Sequence, residues 1–380
     1  MTVLGILVAL ASSFSAAPEQ IVLEDAEHIT VYYEAGRFGG WPANHGIWHW
    51  GKEILVGYGR GYYKERQGHH FDPDKPEQHW LARSLDGGAT WQLEHPAEKG
   101  ILIPRGEALH GTETPGQKIP EPRPCPGGVN FAHPEFAMTV KTDNINAGHS
   151  RFYYSYDKGK NWEGPFALPN FDLPGTAART DYLVEDADSC MIFSTAAKSD
   201  GREGRVFCMR TDDGGKSWAF VSFVGEEMEG KGRFGIMPAS VRLSDQEIVV
   251  AQRRRDKEHR YIGLHRSLDN GKTWVEEKNP VDDVGSGNPP AMIQLADGRL
   301  CLTYGYRAEP YSMCAKLSDD GGKTWGPELV LRNDGVTGDM GYSRTVQRPD
   351  GKVVTVYYFC DGKRGPERFI AATIWMPPAP

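Results

Sequence analysis

Short segments rich in β-branched and aromatic residues recur along the chain, and turn-forming residues separate them. Four such segments follow one another at 239–243, 247–252, 261–267 and 274–277. The same series of four occurs again at 291–295, 299–304, 312–318 and 325–331. Strands of this length, bounded by Gly, Pro, Asn and Asp, are typical of antiparallel sheets. The 45 Gly and 26 Pro residues also favour many short strands over long helices.

An octapeptide that ends in Trp occurs five times between these segments, with the pattern Ser/Thr-x-Asp-x-Gly-x-Ser/Thr/Asn-Trp. Its copies cover residues 84–91, 155–162, 211–218, 267–274 and 318–325. The Asp carboxylate can accept backbone N–H groups within a tight turn, Gly supplies a positive φ, and Trp packs back on the sheet. Five regularly spaced copies predict a repeat array with about four strands in each unit.

This repeat predicts an all-β fold, a six-bladed β-propeller of four-stranded antiparallel blades over residues 25–378. A sixth unit lacks the octapeptide and contains only three predicted strands, at 343–348, 353–359 and 369–375. Segment 28–34 from the N-terminal region can supply the missing strand. This strand would close the ring and remove the exposed sheet edge.

The composition limits the class of partner. The chain has 43 Lys and Arg against 51 Asp and Glu, a net charge of −8, and 39% hydrophobic residues. This composition indicates a folded globular protein and argues against a general nucleic-acid surface. A small anionic ligand remains compatible with it, because a local arginine cluster can lie in an acidic protein.

The first residues predict an export signal. An apolar run at 3–10, too short to span a membrane, precedes a stretch of small residues at 12–17. We therefore predict a signal peptide over 1–17 and a secreted or periplasmic location, with a buried first strand as the alternative. No other segment approaches transmembrane length.

The six cysteines leave two interpretations open, because none forms a CxxC pair. Cys190 with Cys208, and Cys301 with Cys314, flank predicted hairpins and can form cross-strand disulfides in an exported protein. Buried free thiols are the alternative.

Blade topology predicts which face carries the site. The octapeptides join third strands to fourth strands, so all five turns lie on one face. The long connections 61–78, 95–128 and 164–178 lie on the opposite face, which we call the working face. Long loops on one rim of a rigid scaffold usually build the functional site.

Several arginines are predicted on the working face. Three blades open with similar tripeptides, at 41–43, 237–239 and 289–291. The strands that follow them end in arginines that we interpret as equivalent: Arg60, Arg253 and Arg307. Arg179 and Arg344 lie near the starts of first strands in the third and sixth blades. A planar guanidinium group binds carboxylate bidentately, so the cluster predicts a clamp for an acidic ligand. Surface arginines paired with local Asp or Glu are the alternative.

The octapeptide resembles the Asp-box, or BNR repeat, of the sialidase/neuraminidase superfamily, and the resemblance covers nearly the whole chain after residue 17. It implies an exo-acting, exo-α-sialidase-like glycoside hydrolase whose partner is an acidic oligosaccharide or glycoconjugate, with no cofactor. It also implies that Tyr342 is the nucleophile and that Arg253 and Arg307 bind the substrate carboxylate. Gly40 stands where the superfamily has another Arg, and no Glu opens the fourth blade. Another carboxylate must then activate Tyr342, and Asp181 is the nearest by topology.

Segment 39–51 is similar to secreted propeller enzymes that cleave rhamnose from glucuronate with a catalytic His. This second resemblance implies that His45, expected in the first strand of blade one, is the acid or base. We expect Trp41 and Asn44 to bind the sugar, with core packing as the alternative for Trp41. The first rim loop contributes Asp72 as a further catalytic candidate, whereas His69 and His70 are expected to be solvated.

Two broader alternatives to an enzyme are a binding propeller and a structural assembly propeller, and the second would not need Tyr342 and His45 on its rim. A non-catalytic glycan- or protein-binding propeller could use the same rim, and candidate acid–base groups near an arginine clamp favour an enzyme over simple binding. His and Asp residues in the first rim loop give only a weak metal signal, because no spacing such as HExxH is present. We therefore predict no metal site.

Overall fold

A computed structural model describes residues 20–104 and 117–380 of the protein. The predicted signal peptide at 1–17 lies outside these residues. The described chain forms six separate sheets arranged as the blades of a propeller, as the repeat predicts. The blades have three to five strands instead of a uniform four.

The first four blades are each built from consecutive strands of the chain. Blade I contains β3 (Arg37–Gly40), β4 (Ile47–Trp50), β5 (Glu53–Tyr62), β6 (Gln78–Ser84) and β7 (Gln92–Glu94). Blade II contains β8 (Ala137–Thr142), β9 (Ser150–Ser155) and β10 (Glu163–Ala167). Blade III contains β11 (Thr176–Ala177), β12 (Tyr182–Val184), β13 (Cys190–Ala197), β14 (Glu203–Thr211) and β15 (Ala219–Phe223). Blade IV contains β16 (Phe234–Arg242), β17 (Ile248–Asp256), β18 (His259–Ser267) and β19 (Val275–Val281).

The last two blades each gain a strand from the N-terminal part of the chain. Blade V contains β20 (Ala291–Gln294), β21 (Leu300–Tyr306), β22 (Ser312–Ser318) and β23 (Glu328–Arg332), with β1 (Gln20–Val22) parallel to β23. Blade VI contains β24 (Gly341–Gln347), β25 (Val353–Phe359) and β26 (Phe369–Trp375), with β2 (Glu27–Tyr32) antiparallel to β26. The predicted closure of the ring is confirmed, whereas β1 was not expected. Two short 3-10 helices cover Pro42–Asn44 and Pro96–Lys99.

In all five blades that carry an octapeptide, its Asp and its Ser or Thr make the same turn bonds, and in four of them the Trp indole adds a further bond. In the last copy, Asp320 Oδ1 accepts hydrogen bonds from the Thr324 amide (2.9 Å) and the Ser318 hydroxyl (2.8 Å). The Thr324 hydroxyl donates to Asp320 Oδ2 (2.6 Å), and the Trp325 indole donates to the Gly322 carbonyl (3.1 Å). Every copy joins the last two strands that its blade takes in chain order, so the five turns share one face.

The innermost strands are interrupted near the working face. Trp41, Met237 and Tyr342 stand at these interruptions, and all three have a positive φ, 58°, 54° and 51°. A positive φ is uncommon for residues with a side chain, and it recurs here at the same point of three blades. The interruption in blade I is longest, because the first 3-10 helix separates β3 from β4. His45 closes that helix and therefore lies in a turn, not in a strand as expected.

The apolar core lies between the blades. Cys190, Cys208, Cys301 and Cys314 belong to it, and all six cysteines of the chain are buried free thiols. The disulfide alternative is therefore wrong, and the buried-thiol alternative is confirmed. Among the residues described, no helix is long and apolar enough to cross a membrane.

Candidate functional site

Two arginines meet a tyrosine at the start of blade VI. Arg253 Nη1 donates to the Tyr342 hydroxyl (3.0 Å), and the Arg307 guanidinium lies 5.2 Å from the centre of the Tyr342 ring. Asn288 holds the Tyr342 backbone, because its Oδ1 accepts the Tyr342 amide (3.0 Å) and its Nδ2 donates to the Met340 carbonyl (2.9 Å). The structure therefore brings these three predicted residues together on the working face.

Among the described residues, neither of these arginines forms an ion pair, and Glu203 acts on Arg253 only as a nearby charge. Arg307 is only 7% exposed, and it donates to the Met340 carbonyl (2.8 Å) and the Tyr358 hydroxyl (2.6 Å). The Nε atom of Arg253 is buried without a hydrogen-bond partner, and burial lowers the pKa of this arginine. Within the described chain, no carboxylate lies within ion-pair distance of either guanidinium. Because shielded cations are normally paired, this cluster is suited to receive an anion.

Arg60 does not join this cluster. The interruptions at Trp41 and Met237 align Gly40 with Ile236, and their strand partners are Gly59 and Arg253. Arg60 is thus equivalent to Arg254, one residue further along the strand. Since side chains alternate between the two sides of a strand, Arg60 points away from the site. It forms an ion pair with Glu34 (2.6 Å) and lies over the Trp80 ring. The expected equivalence of Arg60, Arg253 and Arg307 is therefore wrong for Arg60.

Arg179 and Asn44 form a second polar group beside the cluster. Arg179 Nε donates to Asn44 Oδ1 (3.1 Å), and its Nη atoms form a bidentate ion pair with Glu203. Burial opposes the charge, but Glu203 and Tyr342 raise the pKa of Arg179. Arg179 is therefore a paired arginine, unlike Arg253 and Arg307.

His45 lies in a small cavity of about 50 Å³ that Asn44 and Arg179 also line. Its Nδ1 atom is 2.8 Å from Lys141 Nζ, and its ring meets the His79 ring edge to face at 4.7 Å. Thr139 and Thr180 donate hydroxyl hydrogen bonds to the His45 carbonyl (3.0 and 2.6 Å).

Glycines in β5 create the space for this cavity. Gly57 and Gly59 lie on the same side of the strand, against His45 and Glu77. A Cβ atom at Gly57 would lie 2.7 Å from His45 Cβ, and one at Gly59 would overlap the Glu77 carboxyl group. The two glycines are therefore required by the close approach of these side chains.

Burial places two groups of this cavity in unusual charge states. Glu77 is 4% exposed, and burial raises its pKa to about 8 although Lys141 opposes the shift. Burial also lowers the pKa of Lys141 well below its usual range, with Arg151 contributing. The cavity therefore combines an imidazole with a carboxyl group that keeps its proton at neutral pH.

Asp181 and Arg344 lie in the axial channel, whose volume is about 820 Å³. The channel is also lined by first-to-second-strand turns, so it opens on the face of the octapeptide turns. Asp181 Oδ1 accepts from the Ser240 amide and hydroxyl (both 3.2 Å), and burial raises its pKa to about 7. Arg344 donates to the carbonyls of Ala43 and Thr180. No contact joins Asp181 to Tyr342, so Asp181 is not placed to take the tyrosine proton.

The remaining predicted residues have structural partners. Asp72 accepts from Lys64 Nζ (3.1 Å) in the first rim loop. Trp41 is 8% exposed and packs against Phe38 and Phe71, at ring distances of 4.8 and 5.1 Å. Trp41 therefore packs in the core, which was the alternative to sugar binding in the sequence analysis. No group of three or more His, Cys, Asp or Glu side chains is arranged to hold a metal ion in the described parts of the chain.

Sequence reasoning missed Glu77, Lys141, Glu203 and Asp339. Glu203 is the first residue of β14, directly after a loop on the working face. The expectation that loops on this face build the site therefore could have identified it. Lys141 lies within β8, and nothing in its local sequence distinguishes it from an exposed lysine.

The six blades, their repeated turns and the polar rim define a BNR-repeat propeller of the sialidase-like superfamily. A model of the BNR repeat-like domain matches residues 136–355, and the chain belongs to that family. No curated protein sequence gives a significant match to this chain.

Solved structures share the fold at low sequence identity. A protein of unknown function from Dyadobacter fermentans is 19% identical, with a TM-score of 0.68 over 93% of this chain and 99% of that one. A Trypanosoma rangeli sialidase in complex with sialic acid is 12% identical, with a TM-score of 0.54, and the match covers 93% of this chain but only 59% of the sialidase. A Penicillium chrysogenum α-L-arabinanase complexed with arabinobiose is 12% identical, with a TM-score of 0.56 over 92% and 97% of the two chains. At these identities the similarity is one of fold.

Proposed function

We propose that this protein is an exported, exo-acting enzyme that cleaves a glycosidic bond at a terminal carboxylated sugar. The observation that carries the proposal is the convergence of Arg253 and Arg307 on Tyr342, with no ion pair to either arginine in the part of the chain that the structure describes. A sugar carboxylate supplies the missing negative charge and accepts charge-assisted hydrogen bonds from the guanidinium groups. The composition of residues 3–17 supports export, which N-terminal sequencing of the secreted protein tests.

His45 is the acid–base group in this proposal. Its Nδ1 atom contacts Lys141, and an imidazole can exchange a proton with a substrate near neutral pH. Asn44 and Arg179 line the same cavity, and Arg179 interacts electrostatically with Tyr342. The carboxylate site and the acid–base cavity are therefore neighbouring parts of one rim. Glu77 keeps its proton near neutral pH and supplies a proton donor beside the imidazole.

A sialidase-type reaction is the second candidate, favoured by the hydrogen bond from Arg253 to the Tyr342 hydroxyl. That bond stabilises a phenolate. Free tyrosine has a pKa of about 10, so Tyr342 needs a base to remove its hydroxyl proton before it can act as a nucleophile. Asp181 does not contact Tyr342, so this candidate requires Glu203 or another carboxylate to move. Tyr342→Phe abolishes release of sialic acid under this candidate. Under the His45 mechanism, His45→Ala abolishes release of a neutral sugar from a uronate, and Tyr342→Phe is milder.

Adjacent arginines provide a matched test of the carboxylate site. Arg253→Ala should weaken binding of a carboxylated sugar about ten- to a hundredfold, since a charge-assisted hydrogen bond contributes about 1.5–3 kcal/mol. Binding of the neutral amide analogue should change little. Arg254→Ala is the control, because Arg254 is paired with Glu276 on the other side of the same strand. Calorimetric titration of both ligands with both variants measures the effect.

Equal losses for the two ligands, or for the two variants, would contradict the proposed carboxylate site. A parent protein that binds acidic glycans but cleaves none would leave the binding propeller as the function.

A further inference from the structure

His69 and His70 are anchored to blade VI, and His69 is exposed to solvent as expected whereas His70 is half-buried. His69 Nδ1 lies 2.8 Å from Asp339 Oδ1, and His70 donates its backbone amide to Asp339 Oδ2 (2.9 Å). Asp339 is 6% exposed and also accepts from the Tyr358 hydroxyl (2.8 Å). Arg368 Nε is a further neighbour at 3.3 Å. One buried carboxylate thus holds a loop of blade I against blade VI.

The network fixes the tautomer of His69. Although burial opposes ionisation, His69 and Arg368 hold the pKa of Asp339 well below its usual range. An ionised carboxylate only accepts, so His69 carries its proton on Nδ1 and leaves Nε2 free. His70 Nδ1 lies 2.6 Å from Arg368 Nη2, which only donates, and 3.2 Å from Asp339 Oδ2, which only accepts. These two contacts favour opposite tautomers of His70, whose Nε2 lies 3.5 Å from Glu65.

His69 also lies beside the carboxylate site. Its ring meets the Trp41 ring edge to face at 5.9 Å, and its side chain is 46% exposed. Asp339 is linked to the site through Tyr358, whose hydroxyl accepts a hydrogen bond from Arg307 (2.6 Å). The same short path therefore joins the anion-binding arginine to the carboxylate that orients His69.

From this geometry we propose that His69 is a second catalytic residue, the general acid that protonates the leaving oxygen. This inference rests on the proposed function. Protonated His69 gives its Nε2 proton to the glycosidic oxygen as the carbon–oxygen bond breaks, and the bonding electron pair goes to that oxygen. His45 takes a proton from the attacking water, whose oxygen forms the new bond to carbon. Each histidine then exchanges one proton with solvent, so the net reaction is hydrolysis.

His69→Asn is the variant that isolates proton transfer. The Asn amide can replace Nδ1–H as the donor to Asp339, but it has no counterpart of Nε2. His70→Asn is the matched control, because the Asn oxygen can replace Nδ1 as the acceptor for Arg368. Both variants should therefore keep the loop anchored and keep the affinity for a carboxylated sugar.

The test compares two substrates of the same acidic sugar, one with a sugar alcohol as the leaving group and one with an electron-poor phenol. His69→Asn should slow cleavage of the first about 10²- to 10⁴-fold, the usual contribution of general acid catalysis. It should slow cleavage of the second far less, because a weakly basic phenolate leaves without protonation. His70→Asn should cleave both at the parent's rate.

The outcomes separate this inference from the proposed function. Parental rates in His69→Asn, or equal losses on both substrates together with lost sugar binding, overturn the role of His69 and leave the proposed function standing. A parent that cleaves neither substrate overturns both. If His69→Asn does not fold, as judged by its melting temperature, His69→Gln is subjected to the same comparison.

Discussion

Adjacent side chains on one strand of this protein have different functions. Arg253 faces Tyr342 and forms no ion pair with any described residue, whereas Arg254 is paired with Glu276. The difference arises because successive side chains of a strand point to opposite sides. Similarly, His69 contacts Asp339 through its ring, whereas His70 donates its backbone amide to the same carboxylate. The function of a side chain here depends more on the side of the strand to which it points, and on its partners, than on its residue type.

Glu77 makes the stability of the protein depend on pH. Its folded pKa of about 8 lies above the ordinary value of 4.5, so the folded state holds this proton more tightly than the unfolded state. The free energy of unfolding should therefore fall as pH rises from the ordinary pKa to the raised one. Glu77→Gln should remove this decline and stabilise the protein at about pH 9 by about 2 to 4 kcal/mol relative to the parent.

Urea denaturation of both proteins at about pH 5 and about pH 9 measures the difference. Glu258→Gln is the control, since that carboxylate is 89% exposed. A constant difference between parent and Glu77→Gln at the two pH values would contradict the raised pKa.

The octapeptide turn is a self-contained element. Each turn satisfies its backbone amides with the Asp carboxylate and the Ser or Thr hydroxyl of the same eight residues. No partner from another blade is needed for these bonds, so the same sequence forms the same turn five times. The sixth blade lacks the turn and is completed by β2 instead, which joins the two ends of the described chain.

Replacing Asp320 with Ala tests the energy of one turn. The side chain and backbone of Thr324 lower the pKa of Asp320 to about 2, so its stabilising effect is present above the ordinary pKa and is lost as pH falls toward 2. Asp320→Ala should reduce the free energy of unfolding by about 1 to 2 kcal/mol at neutral pH, and less in acid. Asp319→Ala is the neighbouring control, because that side chain is 76% exposed. Equal effects of the two substitutions would show that the turn bonds contribute little.

At the scale of the whole molecule, closure of the ring depends on one ladder. β2 pairs with β26 over Glu27 to Tyr32, so the N-terminal part of the chain covers what would be the open edge of blade VI. β1 pairs with β23 over only three residues at the outer edge of blade V. The two ladders differ in consequence, because only the first closes the ring.

Proline substitutions in β2 and in β1 test whether the first ladder alone closes the ring. Thr30→Pro should destabilise the protein by about 3 kcal/mol or more, since proline lacks the amide proton and its ring hinders pairing. Thr30 has an exposed side chain, so the loss reports on the backbone. Ile21→Pro in β1 should lower the melting temperature far less. Calorimetry of the two variants compares them, and similar losses would contradict a special role for the closing ladder.

Much of the fold could be predicted from the sequence, whereas the site could be predicted only in part. The strands at 312–318, 353–359 and 369–375 lie where predicted, because short apolar runs between turn formers specify them locally. The convergence of Arg253, Arg307 and Tyr342 followed from repeat positions. Arg60 was placed wrongly because the interruption of the innermost strand decides which residues of the neighbouring strand are equivalent between blades.

The sequence by itself determined the repeat, the number of blades and the face on which the rim loops lie, because these follow from local turn chemistry and strand periodicity. Only the tertiary structure decided which rim side chains meet. His69 and Asp339 are 270 residues apart, and Lys141 reaches His45 across a blade boundary. Such contacts depend on the depth of burial and on which strands the ring brings side by side. Local sequence carries no record of these distances, so the partners, charge states and tautomers of the site became visible only in three dimensions.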